Sequence, residues 1–224
     1  MPSPNFGPRR NGLRPSLIVL HYTAMASFEA ASERLCDTAA EVSAHYLIGR
    51  DGTLAQLVDE EMRAWHAGAG AWGGQDDVNS RSIGIELDND GSCPFSAPLM
   101  SALEALLPGI MARWDITPQG VIAHSDLAPT RKFDPGRRFD WRRLARQGLA
   151  VWPEEGAVVA PDADAFSSYA IRFGYPDTET AAALLDAFRQ RFRPWAQGPL
   201  DGQDMACIEN LADRFVVDRN VPSD

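Results

Sequence analysis

Short apolar runs recur along the first part of the chain, each with the length and β-forming composition of a buried strand. Leu17–Leu20, residues 82–87 and residues 121–123 are such runs, and they predict strands of a central sheet. The stretch 45–59 predicts a hairpin, because two apolar runs flank the turn-forming pair Asp51-Gly52.

Amphipathic stretches with helical spacing lie between these runs. The predicted helices are residues 27–36, 96–113 and 139–147. Ser27 is a suitable N-cap, Gly148 a suitable stop, and Pro108 predicts a break or kink in the second helix. Residues 1–15 are predicted as an extended polar lead-in, and the Gly-, Ala- and Asn-rich residues 67–80 as a loop.

A second unit is predicted after Trp152-Pro153, where a linker-like stretch precedes further helical patterns. These patterns cover residues 163–172, 178–192 and 202–216. The predicted fold class is α/β, with a mixed central β-sheet flanked by helices in residues 1–153. Residues 154–224 are predicted to form a small C-terminal all-helical domain.

Composition narrows the possible partners and the compartment. The chain has 224 residues and a formal net charge of -10, which argues against nucleic acid as the main partner. Its three cysteines are widely spaced, as expected for thiols in a reducing compartment. With no apolar leader and no long apolar run, we expect a cytoplasmic protein with no membrane partner. It would be periplasmic if the native chain carries a leader.

Two histidines and an aspartate are candidate metal ligands. His21 and His124 each follow a predicted strand, and Asp134 comes from a loop stiffened by Pro129 and Pro135. Strand ends converge on clefts in sheets flanked by helices. Two His and one carboxylate are an expected ligand set for catalytic zinc with one position open for water. Taken singly, each residue is more typical of a structural role.

Glu86 and Lys132 are candidate catalytic residues. Glu86 lies in the apolar strand IGIEL, where a buried carboxylate costs several kcal/mol unless it is paired or protonated. It could take a proton from a zinc-bound water. Lys132 precedes Asp134 by two residues, so in an extended loop both side chains point the same way and the ammonium could stabilise an oxyanion. A structural carboxylate and a surface lysine remain open alternatives.

Five motifs in order resemble the type 2 N-acetylmuramoyl-L-alanine amidases, with AmiD- and AmpD-like members nearest. They are VLHYT, SAHYLIGRDG, AWHAG, SIGIEL and AHSDLAPTRKFDPG. The resemblance runs from about residue 3 to residue 153 and covers every predicted strand. It implies a fold like that of these amidases and of the peptidoglycan recognition proteins, and it makes the helical tail similar to a small peptidoglycan-binding-like domain.

The resemblance also implies roles for matching positions. His21, His124 and Asp134 would hold zinc, Glu86 would be the catalytic carboxylate, and Lys132 would stabilise the tetrahedral intermediate.

The roles of the remaining candidates are less definite. His45 is expected to be structural, because Ala44 stands where some relatives carry a catalytic Tyr. His66, Trp72 and Asn79 are candidate substrate contacts, with packing or capping as the alternative.

The implied activity is zinc-dependent hydrolysis of the amide bond between N-acetylmuramic acid and L-alanine of muropeptides. We expect 1,6-anhydro-muramyl peptides in cytoplasmic peptidoglycan recycling as substrates. Two alternatives stay open: an exported hydrolase of polymeric peptidoglycan, and a non-catalytic muropeptide receptor.

Overall fold

The computed structural model of the protein describes residues 2–154, 156–215 and 217. Five of its strands form a mixed sheet in the order β4-β3-β6-β2-β7, and β1 and β5 form a separate pair. The strands are β1 (Phe6–Pro8), β2 (Leu17–Tyr22), β3 (Tyr46–Ile48), β4 (Leu54–Gln56), β5 (Met62–Ala64), β6 (Ser82–Leu87) and β7 (Val121–Ala123). The predicted sheet and hairpin are confirmed.

Parallel pairing at the centre of the sheet brings three strand ends to one edge. β2 pairs in parallel with both β6 and β7, while β4 pairs antiparallel with β3 at the sheet border. In this register His21 lies opposite Glu86, and Leu20 lies opposite Ala123. His124 directly follows Ala123, so it is placed beside His21 at the same edge.

Helices cover the sheet and form the C-terminal part of the chain. They are α1 (Phe28–Cys36), α2 (Val78–Arg81), α3 (Ala97–Trp114), α4 (His124–Leu127), α5 (Trp141–Ala145), α6 (Ala163–Phe173), α7 (Ala181–Phe192) and α8 (Gly202–Arg214). The predicted cap of α1 is confirmed, since Ser27 Oγ accepts a hydrogen bond from the Ala30 amide. None of the described helices is both long and apolar enough to cross a bilayer.

Local structure adds to or departs from the sequence predictions at Pro108 and in the lead-in. α3 runs through Pro108 unbroken, because buried Leu103, Leu107 and Ile110 fix the helix on both sides of the proline and outweigh one lost hydrogen bond. The lead-in contains β1, which pairs with β5. Both strands have only three residues and no buried alternation, so no periodic signal marks them.

The two faces of the sheet belong to different apolar clusters. On one face Ile18, Leu20 and Ile85 pack in the cluster that contains α3 and α5 residues. On the other face Leu17 and Val19 share a cluster with residues of α6, α7 and α8. The tail helices therefore share one apolar core with this face of the sheet. The predicted boundary at residue 153 stays a prediction, and residues 155, 216 and 218–224 of the predicted tail domain lie outside the described residues.

A buried ion pair connects α7 to α4, the short helix that directly follows β7. Arg191 Nη1 donates to Asp126 Oδ2 at 2.6 Å and Nη2 to the Val121 carbonyl at 2.9 Å. Both side chains of the pair are fully buried. Tyr175 donates to the other Asp126 oxygen at 2.9 Å. Because Asp126 lies two residues after His124, the tail helices hold the segment that carries a candidate ligand.

Arg191→Met should strongly destabilise the protein, because it leaves the Asp126 carboxylate buried without its cation. We expect a loss of about 3–5 kcal/mol in the free energy of unfolding, measured by urea titration. Arg137→Met is the matched control, since it removes the exposed pair with Asp186 at 2.5 Å and should cost about 0–1 kcal/mol. Equal losses for the two variants would contradict the assigned role of the buried pair.

Candidate active site

His21, His124 and Asp134 converge at the sheet edge. The Nδ1 atoms of His21 and His124 lie 2.9 Å apart, and each is 2.9 Å from Asp134 Oδ2. All three residues are buried. Among the described residues they form the one group of His, Cys, Asp or Glu side chains that is close enough to hold a metal ion.

The loop after α4 returns Asp134 to His124. The Ser125 amide donates to the Asp134 carbonyl at 3.0 Å, which closes the loop at its base. Inside the loop, the amides of Arg131 and Lys132 both donate to the Ala128 carbonyl, at 3.0 and 2.9 Å. The ten-residue separation of His124 and Asp134 in sequence is thus folded into direct side-chain contact.

The hydrogen-bond partners assign the protonation of the ligand nitrogens. His124 Nε2 lies 2.9 Å from the Ala67 carbonyl, so it carries the proton and leaves a lone pair on Nδ1. Burial, and secondarily the neighbouring His124, lower the pKa of His21 to about 4. His21 is therefore neutral near pH 7 and brings no extra proton to the group.

These donors suit a divalent cation. Three donors bound at about 2.0–2.1 Å to one tetrahedral ion lie about 3.3 Å apart, so the observed spacing is within about 0.4 Å of that arrangement. Converging lone pairs and a carboxylate oxygen repel one another unless a positive charge lies between them. The group therefore has the chemistry of a three-ligand metal site.

Glu86 and Lys132 line a cleft of 440 Å³ together with the three ligands. Glu86 Oε2 is buried and has no hydrogen-bond partner among the described residues. Burial, reinforced by the charge of Asp134, raises the pKa of Glu86 well above its usual 4.5, and Lys132 opposes this rise. An unpartnered carboxyl group facing a cleft is available to exchange a proton with a bound molecule.

Two predicted substrate contacts, Trp72 and Asn79, are not among the residues that line this cleft, and their contact with substrate stays a prediction. Trp72 is only 2% exposed and packs edge-on against Phe173 and Tyr175, because the tail helices cover it. Asn79 is also buried. Its Oδ1 accepts the amides of His66 at 3.0 Å and Ala67 at 2.8 Å, so Asn79 holds the 66–67 loop rather than lining the cleft.

His66 lies on the cleft wall, and its contact with substrate stays a prediction. Both of its ring nitrogens face protein atoms, His21 Nε2 at 3.0 Å and Ser82 Oγ at 3.2 Å. His45 is buried away from the ligand group, where its Nδ1 accepts the Gly84 amide at 2.9 Å. That contact agrees with a structural role for His45.

Sequence patterns missed the Ala67 carbonyl and Ser82, because neither a backbone oxygen nor one strand serine carries a motif of its own. The available signal was the small-residue loop around Ala67, which permits close backbone approach.

A second cleft of 650 Å³ lies in the helical tail. Its lining residues come mainly from α6, α7 and the 194–200 segment, with Arg137, Asp186 and Arg189 as the charged ones. It contains none of the predicted site residues.

Comparisons with known proteins all find similarity to amidases that act on N-acetylmuramoyl-L-alanine bonds. The sequence profile of the N-acetylmuramoyl-L-alanine amidase family matches residues 11–137. The chain is 36% identical to the N-acetylmuramoyl-L-alanine amidase AmiD of Escherichia coli, over 90% of this chain and 84% of AmiD. It is 34% identical to the 1,6-anhydro-N-acetylmuramyl-L-alanine amidase AmpD of Haemophilus influenzae, over 63% of this chain and 86% of AmpD.

Solved structures of similar amidases also match this chain over most of its length. The complex of E. coli AmiD with the substrate anhydro-N-acetylmuramic acid-L-Ala-D-γ-Glu-L-Lys has a TM-score of 0.84 and 34% identity, covering 93% of each chain. AmpDh3 of Pseudomonas aeruginosa in complex with an anhydromuramic pentapeptide has a TM-score of 0.82 and 32% identity, covering 92% of this chain and 94% of that one.

Glu86→Gln should stabilise the metal-free protein at neutral pH. Because the folded-state pKa of Glu86 is raised, the unfolded chain releases its proton first, and the free energy of unfolding falls as pH rises above about 4.3. The variant has no carboxyl group at position 86, so its free energy of unfolding does not fall for this reason. Its advantage over the wild type in urea unfolding with chelator should therefore be largest at neutral pH and vanish near pH 4.

Glu61→Gln, at an exposed position, is the control and should show no such trend. A stability difference for Glu86→Gln that does not change with pH would contradict the raised pKa.

Proposed function

This chain belongs to the N-acetylmuramoyl-L-alanine amidase family, and on that premise we propose that it is a zinc enzyme acting on muropeptides. The bond hydrolysed is the amide between N-acetylmuramic acid and L-alanine. The observation that carries the zinc proposal is the convergence of His21, His124 and Asp134, with their donor atoms 2.9 Å apart, beside the cleft that contains Glu86.

Zinc bound by these ligands would polarise a carbonyl group and lower the pKa of a coordinated water. Glu86 is opposite His21 in the sheet register, which sets its carboxyl group at the cleft beside the ligands. It accepts the proton of the water that attacks the amide carbonyl. When the carbon–nitrogen bond breaks, Glu86 passes that proton to the leaving amine of L-alanine.

Lys132 supplies positive charge on the cleft wall. It precedes Asp134 in the same closed loop, so its position is tied to that of a ligand. As negative charge develops on the carbonyl oxygen, an ammonium held nearby stabilises it more than it stabilises the neutral substrate. Lys132 therefore contributes to turnover more than to ground-state binding.

The proposed substrates are 1,6-anhydro-muramyl peptides, in cytoplasmic recycling of peptidoglycan. Support comes from the anhydromuramyl peptides bound in the AmiD and AmpDh3 complexes. The net charge of -10 also disfavours adhesion to an anionic wall polymer and so favours soluble fragments.

Mass analysis of reaction products tests this function. The protein is incubated with an anhydro-muramyl tetrapeptide and, separately, with intact peptidoglycan. We expect free anhydro-N-acetylmuramic acid and free stem peptide from the fragment, loss of both products with a chelator, and recovery with zinc. Faster release of stem peptide from intact peptidoglycan would contradict the proposed substrate, and binding without cleavage would indicate a receptor.

Glu86→Gln should keep its zinc and lose about 10²- to 10⁴-fold in kcat. Glu61→Gln serves again as the exposed control and should keep full activity. Near-normal turnover of Glu86→Gln would show that another group moves the proton.

A further inference from the structure

His66 is the side chain that the proposed mechanism does not use although it touches a ligand. We infer that His66 is a positioning residue that fixes the proton of His21 on Nε2, and so keeps His21 Nδ1 free to bind the metal. This inference rests on the proposed zinc function, and it concerns a hydrogen-bonded chain from Val78 through Ser82 and His66 to His21.

The series of hydrogen bonds starts at a backbone carbonyl, which can only accept. This fixes which atom donates in each of the bonds that follow. Ser82 Oγ donates its single proton to the Val78 carbonyl at 2.6 Å. Toward His66 the hydroxyl can therefore only accept. His66 Nε2 lies 3.2 Å from Ser82 Oγ, so Nε2 must carry the His66 proton.

The same logic passes through the ring to His21. In the neutral imidazole a proton on Nε2 leaves a lone pair on Nδ1. His66 Nδ1 lies 3.0 Å from His21 Nε2, so His21 Nε2 donates to it. His21 Nδ1 is then unprotonated, and it is the atom that faces His124 and Asp134.

β6 leaves space for the His66 ring, because the residue that faces the ring is a glycine. Ser82, Gly84 and Glu86 alternate along one face of β6, and a side-chain carbon at Gly84 would lie 2.7 Å from His66 Nδ1 and closer still to two ring carbons. Glycine inside a strand weakens it and is expected where another group approaches closely. Here that group is the His66 ring.

One short loop thereby orients both histidine ligands. The His66 side chain accepts from His21, and the next carbonyl, that of Ala67, accepts from His124 Nε2 at 2.9 Å. Asn79 holds both residues through their amides. Partners of this kind fix ring orientation and tautomer, and their loss commonly weakens metal binding by about 10- to 100-fold.

Asn and Leu have nearly the same shape, which gives a matched pair of substitutions. His66→Asn keeps an oxygen acceptor near His21 Nε2, whereas His66→Leu offers none. Zinc affinity of the full chain is measured by competition with a chromophoric chelator. We expect His66→Leu to bind zinc about 10- to 100-fold more weakly than the wild type and His66→Asn to stay within about threefold.

Ser82→Ala is a smaller change that removes the acceptor for His66 Nε2. It should weaken zinc binding by about 2- to 10-fold, the effect of one hydrogen bond. Urea unfolding of each variant controls for lost stability. If His66 only packs, Asn and Leu should shift stability without separating in zinc affinity, and that result would overturn the inference.

Nitrogen-15 NMR of the histidine-labelled, zinc-loaded protein gives a readout independent of affinity. We expect His66 with its proton on Nε2 and an unprotonated Nδ1; the reverse tautomer would overturn the inference. If the wild-type protein binds no zinc, both the proposed function and this inference are wrong. If the wild type binds zinc and His66→Leu binds it with the same affinity, only the inference is wrong.

Discussion

Three electron-pair donors, His21 Nδ1, His124 Nδ1 and an Asp134 oxygen, point into one buried space at 2.9 Å from one another. The ring protons of both histidines lie on Nε2, where His66 and the Ala67 carbonyl accept them. No proton is therefore left between the three donors to relieve their repulsion. Only a positive charge between them does so. The parallel register that aligns β2, β6 and β7, and the loop that returns Asp134 to His124, are the means by which the chain maintains this arrangement.

The site also imposes costs on the fold that the two apolar clusters offset. The buried Glu86 Oε2 has no hydrogen-bond partner in the part of the chain that the structure describes, and Gly84 leaves one position of a central strand without a side chain. Such features lower stability, and they lie where ligands and substrate have to approach. The buried pair of Arg191 and Asp126 connects the tail helices to the same edge, so the helical part contributes to the rigidity of the ligand segment.

Strands with a strong apolar run could be predicted from the sequence. So could the ligand candidates, because His21 and His124 directly follow apolar runs and Asp134 lies in a loop stiffened by prolines. Other features depend on tertiary packing. Trp72 is a candidate substrate contact on the sequence alone, but the helices that bury it are remote in sequence. Asn79 gave no sign that its oxygen would accept two amides. The alternation of Ser82, Gly84 and Glu86 was visible, but the ring that lies against them comes from another loop.

A crystal structure of the protein grown with zinc, with diffraction recorded at the zinc absorption edge, tests the central claim most directly. The account predicts one strong anomalous peak about 2.0–2.2 Å from His21 Nδ1, His124 Nδ1 and an Asp134 oxygen, with a fourth position open to the cleft. A fully occupied zinc ion elsewhere, with the two imidazoles turned away from Asp134, would contradict it.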